Sequence, residues 1–309
     1  MIQETLQSPV VNRIEHANFL RNAFSWTGSI TPKVIFGTLV SAVYCLFVVI
    51  LHNHFPNLDI DIGPFEYSGV ALGLLLVFRV NSGYDRWWEA RKLWGSVVNQ
   101  SRNLALIGLS YSSAPDEWRR QLVKWTSVFS YTMKDHLRAQ KSNESIGRFF
   151  GTDVAAYSDS ISHAPLWVSI NIAKLLDEAR TKSWLDPFSF QRAERERAIL
   201  IDDIGACERI LKTPIPFVLA VKLKRFIFLF LLLLPFALVS KIGLIAPLLD
   251  ALIAYPLLSL DQIGFELQNP FSRSSISHLP LDEICEKIEQ NIAEVASISS
   301  TNRQPAPFL

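Results

Sequence analysis

Residues Val34–Leu51 read VIFGTLVSAVYCLFVVIL, eighteen positions without one charged side chain. As a helix rising about 1.5 Å per residue the run would measure about 27 Å, close to the hydrocarbon thickness of a bilayer. A cleaved signal peptide is the competing reading. The run is longer than a signal core, more than thirty residues precede it, and no small-residue cleavage pattern follows, so it reads as a membrane-spanning helix.

Working outward, the next apolar run is Tyr67–Val77 (YSGVALGLLLV), which passes through Phe78 into Arg79 and the charged stretch that begins at Tyr84. It is too short to cross by itself and crosses only as part of a helix that continues beyond the membrane. A third region, Phe226–Leu260, is nearly continuous in apolar residues, is interrupted at Ser240-Lys241, and holds Pro235, Pro247 and Pro256. It reads as a helical hairpin with kinks at the prolines. In this reading the first run holds no ionisable group, and Lys241 at the turn is the only interruption of the hairpin. A charge at mid-bilayer costs roughly 2.5–3.5 kcal/mol on insertion scales, and proton-coupled carriers accept that cost to build relays. Passive conduction therefore ranks above active transport.

Short loops rich in Lys and Arg stay on the cytoplasmic side. Arg13, Arg21 and Lys33 precede the first run, Arg79, Arg86, Arg91 and Lys92 follow the second, and Lys222, Lys224 and Arg225 precede the third. The segment His52–Glu66 carries Asp59, Asp61 and Glu66 with no Lys or Arg, and is expected to face outward. Four crossings with both termini inside satisfy all of these asymmetries, whereas three would strand the C-terminus outside. The expected organisation is a cytosolic N-terminal segment (1–32), two transmembrane helices (33–82), a cytosolic helical domain (83–221), the hairpin (222–260) and a cytosolic C-terminal segment (261–309). In the cytosolic domain Pro115 with Asp116 and Glu117 marks a first helical turn, and Asp186-Pro187 pairs an N-cap with a helix-initiating proline. Leu281, Ile284, Ile288, Ile292 and Val295 form one apolar stripe, and a loose tail is expected after about Ser297.

Composition removes other classes. The 309 residues carry 30 Lys and Arg against 29 Asp and Glu, a net charge of +1 that argues against nucleic acid as a partner. With 49% hydrophobic residues the chain is not disordered. Cys45, Cys207 and Cys285 are too far apart for a disulfide framework or a cysteine metal cluster, and read as buried thiols. His52 and His54 near Asp59 and Asp61 could contribute metal ligands, but their spacing lacks the i, i+4 geometry of a helical metal motif. Cys207-Glu208 and His136 have no partner readable from sequence, and there is no nucleophile elbow or phosphate-binding glycine loop. No enzyme, cofactor or metal site is expected.

Val70, Leu74 and Phe78 recur every four residues and lie one above another on a helix. That spacing fits a packing stripe. It also fits stacked apolar rings around an axis, constrictions of the kind that gate ions by dewetting. Gly69 and Gly73 form a small-xxx-small pair on a neighbouring face and would admit a second helix closely. Beyond them, Tyr84-Asp85-Arg86-Trp87-Trp88-Glu89-Ala90-Arg91-Lys92-Leu93-Trp94-Gly95 offers i, i+3 pairs of Arg86 with Glu89 and Glu89 with Lys92, and indoles that could anchor at the headgroups.

Phe78-Arg79, Tyr84–Glu89 and Leu93-Trp94-Gly95 together resemble the signature of the bestrophin channels in their prokaryotic branch. The resemblance continues in order through Cys207-Glu208-Arg209-Ile210, Thr213-Pro214-Ile215-Pro216, Leu260–Gly264 and Asn269-Pro270-Phe271, covering about residues 20–295. It implies an all-α membrane protein with four transmembrane helices per subunit and a helical cytosolic domain. It further implies a homopentamer whose axial pore is lined by the second transmembrane helix. Carried over by position, the hydrophobic neck falls on Val70, Leu74 and Phe78, and the narrow cytosolic aperture on Phe188 behind Asp186-Pro187. Animal members follow Asn-Pro-Phe with acidic residues that clasp calcium; here Ser272–Ser277 holds no carboxylate, so no calcium clasp is expected.

Inorganic ions and membrane lipid are the partners this implies, and a bacterial plasma membrane is the implied location. For selectivity, Pro64 at the start of the pore helix would aim helix N-termini at the outer mouth and favour anions, whereas Asp59, Asp61 and Glu66 would favour cations. The family tips the expectation toward chloride or other small anions. Arg79, just inside the neck, reads as a snorkelling interface charge or a tuner of ion occupancy. A rival reading is a membrane-anchored scaffold that uses the Ile284–Ile292 stripe to bind a partner.

Overall fold

The computed structural model describes residues 19–26, 28–55, 60–158 and 160–301. Their helices are α1 (Phe19–Ala23), α2 (Thr31–His54), α3 (Gly63–Ser110), α4 (Asp116–Leu137), α5 (Asn143–Phe150), α6 (Thr152–Ser158), α7 (Ala164–Thr181), α8 (Pro187–Lys212), α9 (Phe217–Ile242), α10 (Ala246–Glu266) and α11 (Leu281–Thr301). No strand occurs among the described residues. Local chemistry sets the boundaries. Asp186 accepts hydrogen bonds from the amides of Phe188 and Ser189 at 2.9 and 3.1 Å, with Pro187 opening α8. The α9 helix stops at Gly243, whose φ of +56° suits glycine and whose amide donates to Val239 O. The break thus falls at Gly243 and a 3-10 turn, while Ser240 and Lys241 finish α9 as helix.

The chain divides into two units. The first takes the described residues through Trp87 together with Pro214–His278, and its core joins Cys45 and Val48 of α2, Leu72 and Leu76 of α3, and Leu234 and Leu238 of α9. Phe65 meets Phe230 edge-on with ring centroids 5.9 Å apart. Among the described residues three helical stretches are long and apolar enough to cross a membrane: Thr31–His54, Gly63–Ser110 and Phe217–Glu266. The last is 50 residues, which the turn at Gly243 splits into helices of 26 and 21 residues. Each is about the length that one crossing needs.

One buried group breaks the apolar pattern that the sequence reading gave this region. Asp250 in α10 is fully buried and accepts a 2.6 Å hydrogen bond from the Ser41 hydroxyl of α2. Lys241 is therefore not the only ionisable residue of the hairpin. The end of α10 is tied by Glu266, which accepts from Lys33 at 2.6 Å, from Gln262 at 2.9 Å and from the Ile276 amide at 2.8 Å. Asn269 Oδ1 turns the following segment by accepting the amides of Phe271 and Ser272.

The second unit takes Trp88–Thr213 and α11. Here α4 packs on α7 and α11, and α7 packs on α8. Leu281, Ile288 and Ile292 are fully buried and Ile284 and Val295 half-buried, so most of the α11 stripe is spent inside its own unit, where α11 packs on α4. Polar contacts reinforce it: Arg138 and Lys134 hold Asp282 at 2.7 and 3.1 Å, and the Tyr131 hydroxyl donates to Glu289 at 2.7 Å. The helix runs on to Thr301, past the expected break at Ser297. All three cysteines are buried and free. Desolvation raises the Cys285 thiol to about 12, so it stays protonated and acts as a small apolar group.

Candidate ion-conduction site

Helix α3 is unbroken from Gly63 to Ser110. Within its first half, Leu72 and Leu76 point into the core and are fully buried. Val70, Leu74 and Phe78 point the other way and remain 76%, 55% and 58% exposed. The structure therefore brings the three sequence-predicted residues onto one uncovered face, continued by the exposed positions Asn81, Ser82 and Asp85. An apolar stripe left open in one chain can meet lipid, another subunit or a bore between subunits.

The glycine pair divides. A Cβ on Gly69 would meet the Phe230 ring at 3.4 Å, so this glycine does face a neighbouring helix. Gly73 faces nothing within 4 Å and takes no part in that contact. Arg79 is buried instead of exposed. Its guanidinium lies 3.0 Å from Asp261 of α10, with the side chains 4% and 14% exposed. A Cβ at Gly264 would sit 2.9 Å from Arg79 Cγ, so the arginine stem lies across a position that only glycine leaves open. Both sequence readings of Arg79, snorkelling charge and pore-facing charge, give way to a buried ion pair.

The aromatic signature is a lock. Arg86 donates from Nε and Nη2 to Gln268 O at 3.2 and 3.1 Å, and Trp87 Nε1 donates to Ser277 O at 2.7 Å. Glu89 receives Arg209 at 2.6 Å, a partner 120 positions away, beyond the i±3 neighbours considered from sequence. Trp94 is fully buried, which leaves Trp88 as the exposed indole of the three. The sequence pattern showed that these residues matter but not that their work is to fasten α3 to distant segments.

Of the expected outer-mouth charges, Asp59 lies outside the described residues. Asp61 and Glu66 are exposed, with Asp61 Oδ1 3.5 Å from the Gly63 amide at the start of α3 and Glu66 in the first turn. Both carboxylates thus stand where the positive end of the helix would otherwise attract anions, and they offset it. In the His52, His54, Asp59 and Asp61 loop, His54 Nδ1 is 3.0 Å from Ile50 O within its own helix. Phe188 is 79% exposed at the start of α8 in the second unit. Hydrogen bonds from Ser189 and from the first-turn amides hold the Asp186 carboxyl below its ordinary range, so the cap behind Phe188 stays charged. Asp250 is the polar residue of the first unit that sequence reasoning missed; a single carboxylate among apolar neighbours was the available signal.

The profile described as bacterial/fungal bestrophin protein matches residues 11–294. The voltage-dependent anion channel-forming protein of Nostoc sp. (strain PCC 7120) is 32% identical over 285 residues, covering 91% of this chain and 92% of the relative. That of Escherichia coli (strain K12), YneE, is 32% identical over 286 residues, covering 90% and 91%. A crystal structure of a bacterial bestrophin homologue from Klebsiella pneumoniae, carrying a point mutation, superposes with a TM-score of 0.81 at 27% identity, covering 85% of this chain and 98% of that one. These relatives are membrane channels and not enzymes, and the chain belongs with them to the bacterial and fungal bestrophin family.

Proposed function

We propose that this chain is a passive ion channel, a homopentamer in which five copies of α3 surround an axial pore and conduct chloride or other small anions. The observation that carries the reading is the open face of α3, where Val70, Leu74 and Phe78 stack while the opposite face is packed. Five such faces around an axis would make three apolar rings, a neck that ions pass only when it is wet. Phe188 would form a second constriction on the cytosolic side. The reading places four crossings per subunit, α2, the first half of α3, α9 and α10, with both termini in the cytoplasm of a bacterial inner membrane.

Anion selectivity rests on the relatives, which are named as forming anion channels. A cation-selective pore of the same build is the second reading, favoured by the exposed carboxylates of Asp61 and Glu66. The reversal potential of reconstituted protein under a KCl gradient separates the two. A value near the chloride equilibrium potential supports the proposal, and one near the potassium equilibrium potential overturns the anion assignment. Absence of current in liposomes that hold only this protein would overturn the channel itself.

A further inference from the structure

Three residues far apart in sequence meet in the second unit. His136 lies in the last turn of α4, His163 immediately precedes α7, and Glu208 lies near the end of α8. Glu208 Oε1 is 2.6 Å from His136 Nε2 and 3.0 Å from His163 Nε2. The imidazoles are tilted 35° to each other, their centroids 4.4 Å apart. The conduction path proposed above uses none of the three.

We propose that His136, His163 and Glu208 form a binding site for a zinc-type transition-metal dication. Two imidazole nitrogens and one carboxylate oxygen are a donor set for zinc, whereas calcium and magnesium favour oxygen ligands alone. The three donor atoms already lie within 4.8 Å of one another. Tetrahedral zinc with bonds of about 2.0–2.1 Å sets its donors about 3.3 Å apart, so each nitrogen draws back from the carboxylate by under about 1 Å and the two nitrogens settle about 3.3 Å from each other. The side chains are 25%, 31% and 19% exposed, neither sealed from an entering ion nor loose in solvent. Three protein ligands leave the fourth position for water.

The groups around the triad fix what an ion must displace. Lys212 Nζ lies 3.3 Å from Glu208 Oε2, and at 68% exposure it is free to swing into solvent. His163 Nδ1 accepts the Leu166 amide at 3.1 Å, which places the ring proton on Nε2, aimed at Glu208. A metal on Nε2 takes that position, the ring carries its proton on Nδ1 instead, and Nδ1 can no longer accept from Leu166. Metal binding is thereby coupled to release of the N-cap of α7.

The test uses the full chain purified in detergent, stripped with a chelator, and titrated with zinc chloride alone or cobalt chloride alone. One zinc per chain is expected, with the strong visible absorption of four-coordinate cobalt, and faster amide hydrogen exchange at Leu166 when zinc is bound. Glu208→Gln keeps the shape and His163→Asn keeps a good N-cap residue; each is expected to weaken zinc binding by about tenfold or more and to abolish the cobalt band. His136→Gln supplies the same test should either variant fail to fold. No zinc bound in large excess of the metal, or zinc stoichiometry and cobalt spectrum unchanged in folded variants, would overturn the site.

Discussion

Between Gly63 and Trp87, helix α3 turns Val70, Leu74 and Phe78 outward and buries Arg79. From Trp88 to Ser110 the same helix buries Ala90, Trp94 and Val97 and turns Arg91 and Lys92 outward. Backbone geometry is common to both halves, so it cannot be the cause. The second half follows the rule for a helix beside water: apolar side chains in, charges out. The first half departs from it in part: Leu72 and Leu76 are buried and Asp85 is exposed, but Val70, Leu74 and Phe78 stay open and Arg79 turns inward, a local reversal that suits a helix whose outer face does not meet bulk water. The reversal is possible only because the inward charge is neutralised. Arg79 has Asp261 beside it, and the pair spares either ion from standing alone in an apolar interior.

The largest effects should come from the inward faces. Arg79→Ala leaves the Asp261 carboxylate buried without a counter-charge and is expected to destabilise the protein by roughly 3–5 kcal/mol. Replacing both partners with leucine should restore most of the loss, because no lone charge remains. Thermal unfolding in detergent reads both variants. If the double variant is no better than the single one, Arg79 does more than balance Asp261. In the second half, Trp94→Ala removes a fully buried indole and should cost a similar ~3–5 kcal/mol. A loss below about 1 kcal/mol would mean that the second half of α3 is not a conventional water-facing helix.

The two halves also differ in how they meet a carboxylate. Asp203 of α8 is buried and receives a hydrogen bond from Ser96 of α3, and its charged neighbour is Asp202, not a cation. Desolvation is the main cause that pushes its carboxyl up to about 6, and Asp202 adds to it. The native state therefore holds a proton on Asp203 that the unfolded chain gives up near the ordinary aspartate value. Between about pH 4 and pH 6 stability falls as pH rises, and ionised Asp203 costs on the order of 3 kcal/mol at neutral pH. Asp203→Asn should unfold at a higher temperature than the parent chain above pH 6, and the two should converge near pH 4. Parallel melting curves across that window would remove the effect.

Much of this contrast is legible in the sequence. The run Val34–Leu51 lies within α2, Asp186-Pro187 caps α8 as its residue types require, and the spacing of Val70, Leu74 and Phe78 places them on one face. Local patterns carry such information because helix periodicity and capping are set by residues within a few positions. The misses have a common cause in long-range contacts. Asp250 meets Ser41 from 209 positions away, so reading the hairpin as an apolar run hid it. Periodicity could not tell that Trp87 reaches a carbonyl instead of the headgroups, nor that Arg79 turns inward. Likewise His136, His163 and Glu208 lie on three separate elements, and no local spacing joins them.

The smallest effect in free energy bears most directly on function. If the outward face of α3 lines a bore, Leu74→Ala with Phe78→Ala widens two of its rings while leaving the packed face intact. Stability should then change by no more than about 0.5 kcal/mol, as for surface substitutions away from packed features. Single-channel conductance in planar bilayers should rise severalfold, a change on the order of 1 kcal/mol in the barrier to an ion, since a wider throat is easier to wet. A large loss of stability with unchanged current would mean that both side chains pack against protein in the assembly. The open face would then be a subunit contact, and the conduction path would have to be sought elsewhere.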